Sequence, residues 1–256
     1  MHHEIKKLND TKTIILFIHG ICGSPNHFVD LIDIVPQDIS VYNLLLDGHG
    51  KKTKDFSKTS MKMWENQVEK IIFELTQKYE NIYIVAHSMG TLFSIDHALK
   101  NSKIKGLFFL ASPLKLFLKP KMSINAIKLY LNIIKENDLE VIAAKERCSI
   151  SLDKNPFKYL GWIPRFIDLF RKIRKTRKNI DQLETNCIAI QSYRDEVVSR
   201  WAVKYLNKSK NMNIIMLEKS SHYYYDSNDY ILVLEKFKEF VDLINKYSTF
   251  RHWERR

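Results

Sequence analysis

Hydrophobic positions along this 256-residue chain follow two periods. Short runs rich in β-branched and aromatic residues occur at 13–18, 39–46, 82–86, 104–111, 187–192 and 213–217. Runs of that length without polar alternation read as strands buried on both faces. Between them, apolar residues recur at three- and four-residue spacing. Phe28, Leu31, Ile32 and Val35 form one such stripe, closed by Pro36. Trp64, Val68, Ile71, Ile72, Leu75 and Tyr79 form a second over 61–79, with Ser60 placed as its N-cap. Leu92, Ile95 and Leu99 form a third, and residues 200–207 read as a helix between the last two strands. A final helix shows Tyr230, Val233, Leu234, Phe237, Phe240, Val241 and Ile244 on one face. Strands alternating with helices of these lengths imply right-handed crossovers and a mostly parallel, doubly wound α/β sheet.

The alternation breaks at 114–183, where only helical periodicity is found. Ile124, Ile127, Leu131 and Ile134 lie on one stripe, and Phe166, Leu169, Phe170 and Ile173 on another. The expected organisation is therefore a core of 1–113 and 184–256, interrupted by a helical lid of 114–183. Charge separates the same two parts. The net charge is +12, and residues 114–183 alone carry 16 Lys and Arg against 7 Asp and Glu. The stretch 165–178 reads as a basic amphipathic helix. One reading of it is peripheral contact with an anionic membrane surface. The preferred reading is an apolar face over a pocket with its charges in water. Nucleic-acid binding is not expected, because charge without a recognition motif supports only nonspecific contact.

No apolar run reaches the roughly 18 residues of a membrane helix, and residues 1–12 lack a signal-peptide core. Three cysteines, Cys22, Cys148 and Cys187, show no metal-like spacing. An odd, unspaced set suits a reducing compartment, so a cytoplasmic protein is expected, with no metal and no cofactor.

Candidate chemistry sits at the turn between the 82–86 run and the helix that follows. Ala86-His87-Ser88-Met89-Gly90 is a one-residue variant of Gly-x-Ser-x-Gly. In such an elbow a strained turn lifts the serine oxygen clear of the sheet, at a helix N-terminus that favours developing negative charge. A serine hydroxyl needs a positioned base, and the base needs a third group to hold its tautomer. Functional groups of doubly wound sheets gather at the C-terminal ends of strands. There the chain offers Asp195 after 187–192 and His222 after 213–217, with Glu196, Glu218 and Asp226 as other carboxylates nearby. His19, His27, His49 and His87 read as structural or pocket-wall residues.

The order Ser88, Asp195, His222, together with three further motifs, resembles the α/β-hydrolase superfamily, and within it bacterial carboxylesterases and monoacylglycerol lipases. Phe17-Ile18-His19-Gly20-Ile21-Cys22-Gly23-Ser24-Pro25 resembles the oxyanion loop of that family. Leu46-Asp47-Gly48-His49-Gly50 resembles its Leu-Pro-Gly-His-Gly turn, with Asp47 in place of Pro, and Ser192 stands where Gly is usual. The resemblance implies an α/β-hydrolase fold, and selects Asp195 because Val197 and Val198 follow at the family's spacing. It implies backbone N–H groups of Ile21 and Met89 as the oxyanion hole. The expected activity is cleavage of small-molecule or lipid carboxylic esters through an acyl-enzyme on Ser88. A thioesterase, acyltransferase or peptidase would use the same triad, and a catalytically silent ligand-binding relative is the alternative from another class. Phe117, Tyr130, Phe157 and Trp162 are the expected substrate-pocket residues, read from the aromatic content of the lid.

Overall fold

A computed structural model describes residues 4–253. Seven strands, β1 (Ile5–Lys7), β2 (Thr13–Ile18), β3 (Ser40–Leu44), β4 (Asn81–His87), β5 (Ile104–Leu110), β6 (Cys187–Ser192) and β7 (Met212–Leu217), form one sheet. Its order is β1-β3-β2-β4-β5-β6-β7. Every neighbouring pair is parallel except β1 with β3. β1 was not expected, since three residues within a polar stretch carry no periodic signal. The helices are α1 (Val29–Ile32), α2 (Thr53–Ser57), α3 (Met61–Lys78), α4 (Met89–Ala98), α5 (Pro120–Leu131), α6 (Leu139–Arg147), α7 (Ile163–Asn179), α8 (Val203–Leu206) and α9 (Ser227–Trp253).

The unbroken apolar runs do what such runs require. All six residues of β2 are buried, as are all but the first of β4. Odd and even positions feed two separate cores. Ile14, Leu16, Ile18, Ile82 and Ile84 face α3 and α4, where Trp64, Val68, Ile72 and Leu92 meet them. Ile15, Phe17, Val85 and Phe108 face the other side, where Phe28 and the α9 residues Val233, Phe237 and Phe240 close over them. Ser60 caps α3 as expected, accepting from the Met63 N–H at 3.2 Å.

Between β5 and β6 runs the 114–183 insert. Its root is tied to the core by main-chain bonds: Phe117 N–H donates to Val197 O, Lys119 N–H to Glu196 O, and Ser199 N–H to Lys115 O. Its far end is α7, which lies against α3 and α4. Leu169 and Ile173 are buried there. Lys172, only 5% exposed, reaches Glu65 of α3 and Asp96 of α4, each at 2.6 Å. Arg165 donates to Thr59 O and Arg177 to Leu114 O. The expectation that the charges of 165–178 lie in water is thus corrected for Lys172, Arg165 and Arg177. An α-helix that packs on two others at an acidic seam buries a cation where it can be paired. The expected stripe on 124–134 is corrected as well. Ile124, Ile127 and Leu131 are exposed, and Ile134 lies beyond the end of α5. No described helix is long and apolar enough to cross a membrane.

Candidate active site

β4 delivers Ser88 into a turn of forbidden shape for most residues, with φ 50° and ψ −120°. The strain is held by the flanking bonds. Ser88 N–H donates to Leu110 O at 2.9 Å, and Ser88 O accepts from the N–H and hydroxyl of Thr91. Close approach explains the small neighbour on the helical side. A Cβ on Gly90 would stand 2.2 Å from Ile18 O of the adjacent strand. Ala86, at the other end of the motif, is fully buried.

Asp195 and His222 meet where β6 and β7 end. Oδ2 of Asp195 accepts from His222 Nδ1 at 2.9 Å. Its other oxygen accepts from the N–H groups of Val197 and Val198 at 2.8 and 2.7 Å. Those two bonds are the physical content of the carboxylate-x-Val-Val spacing: they turn the loop so that Oδ2 faces the imidazole. Burial alone would lower the His222 pKa. The Asp195 charge and hydrogen bond, helped by Glu196, outweigh burial and raise it. With Nδ1–H committed to Asp195, Nε2 is the nitrogen left to exchange a proton. Ser88 and His222 line one cavity of about 320 Å³. Ser88 Oγ makes no hydrogen bond among the described residues.

Three groups around His222 make bonds that the sequence does not foretell. Glu196, itself buried, accepts from the His222 N–H at 3.1 Å. Burial, and then the neighbouring Asp195, push its pKa up. Asp229, at the start of α9, accepts from the N–H groups of Glu218, Lys219 and Ser220 and from the Ser220 hydroxyl. Burial opposes its charge, yet these four donors hold its pKa low. Ser192, in place of the family's Gly, donates to Ser220 O and so joins the two loops. Each acts through contacts at least nine residues distant in sequence, beyond the reach of local periodicity.

His19, His27, His49 and His87 are buried as well. His87 Nε2–H donates to His222 O at 3.1 Å, and its ring stacks on His27 with centroids 3.9 Å apart. His19 accepts from Leu46 N–H through Nε2, and His49 Nε2 accepts from Cys22 N–H. That last bond uses the amide after Ile21, and Ile21 lines the same cavity as Ser88. Burial, followed by neighbouring titratable groups, lowers the pKa of His27, His49 and His87. All three are neutral at pH 7.

Beyond the polar end, the cavity wall is aliphatic and aromatic. It includes Leu116, Leu118, Met122, Leu129, Phe166 and Phe170 of the insert. Of the four aromatics expected there, none lines it. Phe157 is 76% exposed and Phe117 also faces solvent. Tyr130 bonds Lys154 O, and Trp162 packs edge-on against Phe56 with its Nε1–H on Thr53 O. The insert presents its aromatics to α2 and to water, and turns aliphatic residues with two phenylalanines toward Ser88. A larger cavity of about 510 Å³ lies under α9, at the N-terminal ends of β4 to β7, and contains none of these residues. Among the described residues, no group of three or more His, Cys, Asp and Glu could hold a metal ion.

A family model described as serine aminopeptidase, S33 (Hydrolase_4) matches residues 9–223. The chain belongs to this family. The match spans the elbow, Asp195 and His222, and the α/β-hydrolase fold is that of its structural relatives. A metagenome-derived lipolytic enzyme from the LipS and LipT work superposes with TM-score 0.72 at 16% identity, covering 94% of this chain and 97% of the other. The monoacylglycerol lipase of Paleococcus ferrophilus gives 0.66 at 17% identity, over 96% and 99%. Est1E of Butyrivibrio proteoclasticus, with ferulic acid bound, gives 0.61 at 17%, over 93% of each chain. At such identities the likeness is one of fold. No curated protein matches the S33-family chain described here.

Proposed function

We propose that this S33-family protein hydrolyses carboxylic esters with an apolar acyl group, through an acyl-enzyme on Ser88. The observation that carries the reading is one cavity in which Ser88 and His222 meet a wall of aliphatic and aromatic side chains. His222 Nε2 takes the Ser88 proton as Oγ attacks the ester carbonyl, then returns it to the leaving alcohol. Asp195 holds the imidazole in the tautomer this requires. Negative charge on the tetrahedral oxygen is met by the Ile21 and Met89 N–H groups, which contribute roughly 3–4 kcal/mol each where such donors have been removed. Water, activated by the same imidazole, releases the acid. The 114–183 insert serves as the lid that keeps the acyl chain out of solvent.

An aminopeptidase would have to bind a charged α-ammonium. Glu196 is the one carboxylate lining the cavity among the described residues, and it is buried and already engaged with the His222 N–H. That supports an uncharged acyl group over an amino-acyl one. A panel of p-nitrophenyl esters of rising chain length, an acyl thioester and an aminoacyl naphthylamide tests the choice. Ester turnover should dominate and improve with chain length; faster cleavage of the naphthylamide would overturn it. A fluorophosphonate should label Ser88 stoichiometrically, and the Ser88→Ala protein should remain unlabelled.

A further inference from the structure

Exposed large apolar side chains are unevenly placed. Of 23 among the described residues, 15 fall within 117–170. Helix α5 is the extreme case, with no buried residue at all. Met122, Asn125, Ala126 and Leu129 of α5 line the cavity. On the opposite side, about half a turn away at 3.6 residues per turn, stand Ile124, Ile127 and Leu131, at 54%, 57% and 55% exposure. Apolar on both sides, α5 is a thin partition between the cavity and the surroundings. Phe166 and Phe170 of α7 line the same cavity and are themselves exposed, so the cavity has an apolar rim open to the surroundings.

Charge decides what covers this face. Residues 114–135 contain five lysines and no acid. Lys121 pairs with Glu140 of α6, and Lys128 with Asp138 just before that helix. Lys115 and Lys135 make no ion pair among the described residues. A second copy of the chain laid on this face would bring together two inserts that each carry 16 Lys and Arg against 7 Asp and Glu. A bilayer with anionic headgroups offers acyl chain to the isoleucines and phosphate to the lysines at once.

We propose that the outer face of α5 docks on an anionic lipid surface, so that the mouth of the cavity opens toward the bilayer. Delivery of an ester from that surface rests on the activity argued above; the docking itself needs no turnover. The two are therefore tested apart. The Ser88→Ala protein is sedimented with phosphatidylcholine vesicles, with and without phosphatidylglycerol, at low and high salt. Binding to the anionic vesicles that salt weakens is the expected result. Replacing Ile124, Ile127 and Leu131 together by Ser should cut partitioning about tenfold or more, since partitioning follows the apolar area inserted. In the Ser88 background, the same triple variant should leave turnover of a soluble short-chain ester unchanged and melt as the parent does. A Lys115→Gln/Lys135→Gln variant should lose only the preference for anionic vesicles. No binding to anionic vesicles at low salt, or wild-type binding by the triple-Ser variant, overturns the proposal. So does a concentration-dependent dimer that the triple-Ser variant dissolves, which would give the face to a second copy. Vesicle binding by a protein that hydrolyses no ester would overturn the activity and support the docking.

Discussion

The C-terminal edge of the sheet and the insert above it are held by different forces. At the sheet edge, apolar burial is nearly complete on both faces, and the polar groups admitted there are mostly satisfied. Asp195 has three donors, Asp229 four, and His222 is held at its ring, its N–H and its carbonyl. In the insert, α5 buries nothing, and α7 is fixed by two buried apolar residues and a lysine shared between two carboxylates. Dense packing gives the reacting groups one geometry; a few strong polar ties leave a cover that is attached more than it is packed. Changes at the edge should therefore cost rate, and changes in the insert should cost stability or substrate range.

The largest test of this division is at the edge. Asp195→Asn should stay folded and lose about 10⁴ in kcat, because an amide leaves the imidazole in the wrong tautomer. Glu196→Gln keeps an oxygen for His222 N–H and should lose far less. Its pH profile should still differ. With both carboxylates present, the His222 pKa lies above 6.5, so kcat/KM rises with pH through a midpoint above that value as the base loses its proton. Removing the Glu196 charge should move that midpoint down. If Glu196→Gln matches Asp195→Asn in lost rate, the two carboxylates have been given each other's roles.

Next in size is Lys172→Met. Taking one member from a buried pair leaves its partners uncompensated, which costs about 3 kcal/mol; Asp96 and Glu65 retain some solvent access, so the value sits at the low end of the known range. A lower midpoint of urea unfolding would show it, with kcat on a soluble ester little changed. Arg171→Gln breaks only the exposed pair with Asp168 and should cost about 0.5 kcal/mol or less. Equal losses in the two variants would contradict the role given to the buried lysine.

The smallest effect is on stability in mild acid. The native pKa values of His27, His49 and His87 lie well below 6.5. Below about pH 6.5 the unfolded chain takes up protons that these buried rings refuse, so stability falls as pH falls. His222, with its raised pKa, works in the opposite direction, but it is one imidazole against four, since the pKa of His97 is lowered by burial too. Tm followed from pH 7.5 to 5 should decline through this window. A Tm that climbs on acidification would mean that these rings are not buried neutral.

Much of this was legible in the chain itself. Six of the seven strands show as apolar runs, five of them because they are buried along most of their length, and β7 although only Leu217 of it is fully buried. The elbow motif is readable because Ser88 needs Gly90 beneath Ile18, and Asp195 stands out because Val197 and Val198 supply its N–H donors. What stayed hidden depends on which way a face turns. Periodicity marks α5 as amphipathic, yet it does not say that both of its sides are apolar for different reasons. It likewise marks 165–178 as basic without revealing that Lys172 turns inward. Aromatic content suggested Phe117, Tyr130, Phe157 and Trp162 for the pocket, whereas Phe166 and Phe170 stand there with the aliphatic residues of α5. The bonds of Glu196 and Asp229 were unreadable because their partners belong to another loop.

The hydrogen bonds at the root of the insert bear on how this protein could be recombined with its relatives. Lys115, Phe117 and Lys119 pair with the 196–199 segment, the same turn that aims Asp195. A transplant cut where the sequence leaves the sheet, at residue 113, would carry that ladder away and release the acid's loop. A cut after Lys119 keeps the ladder with its recipient. Chimaeras joined at the two places would thus differ in rate although they exchange the same α5 helix, and the workable seam runs six residues inside the border that composition draws.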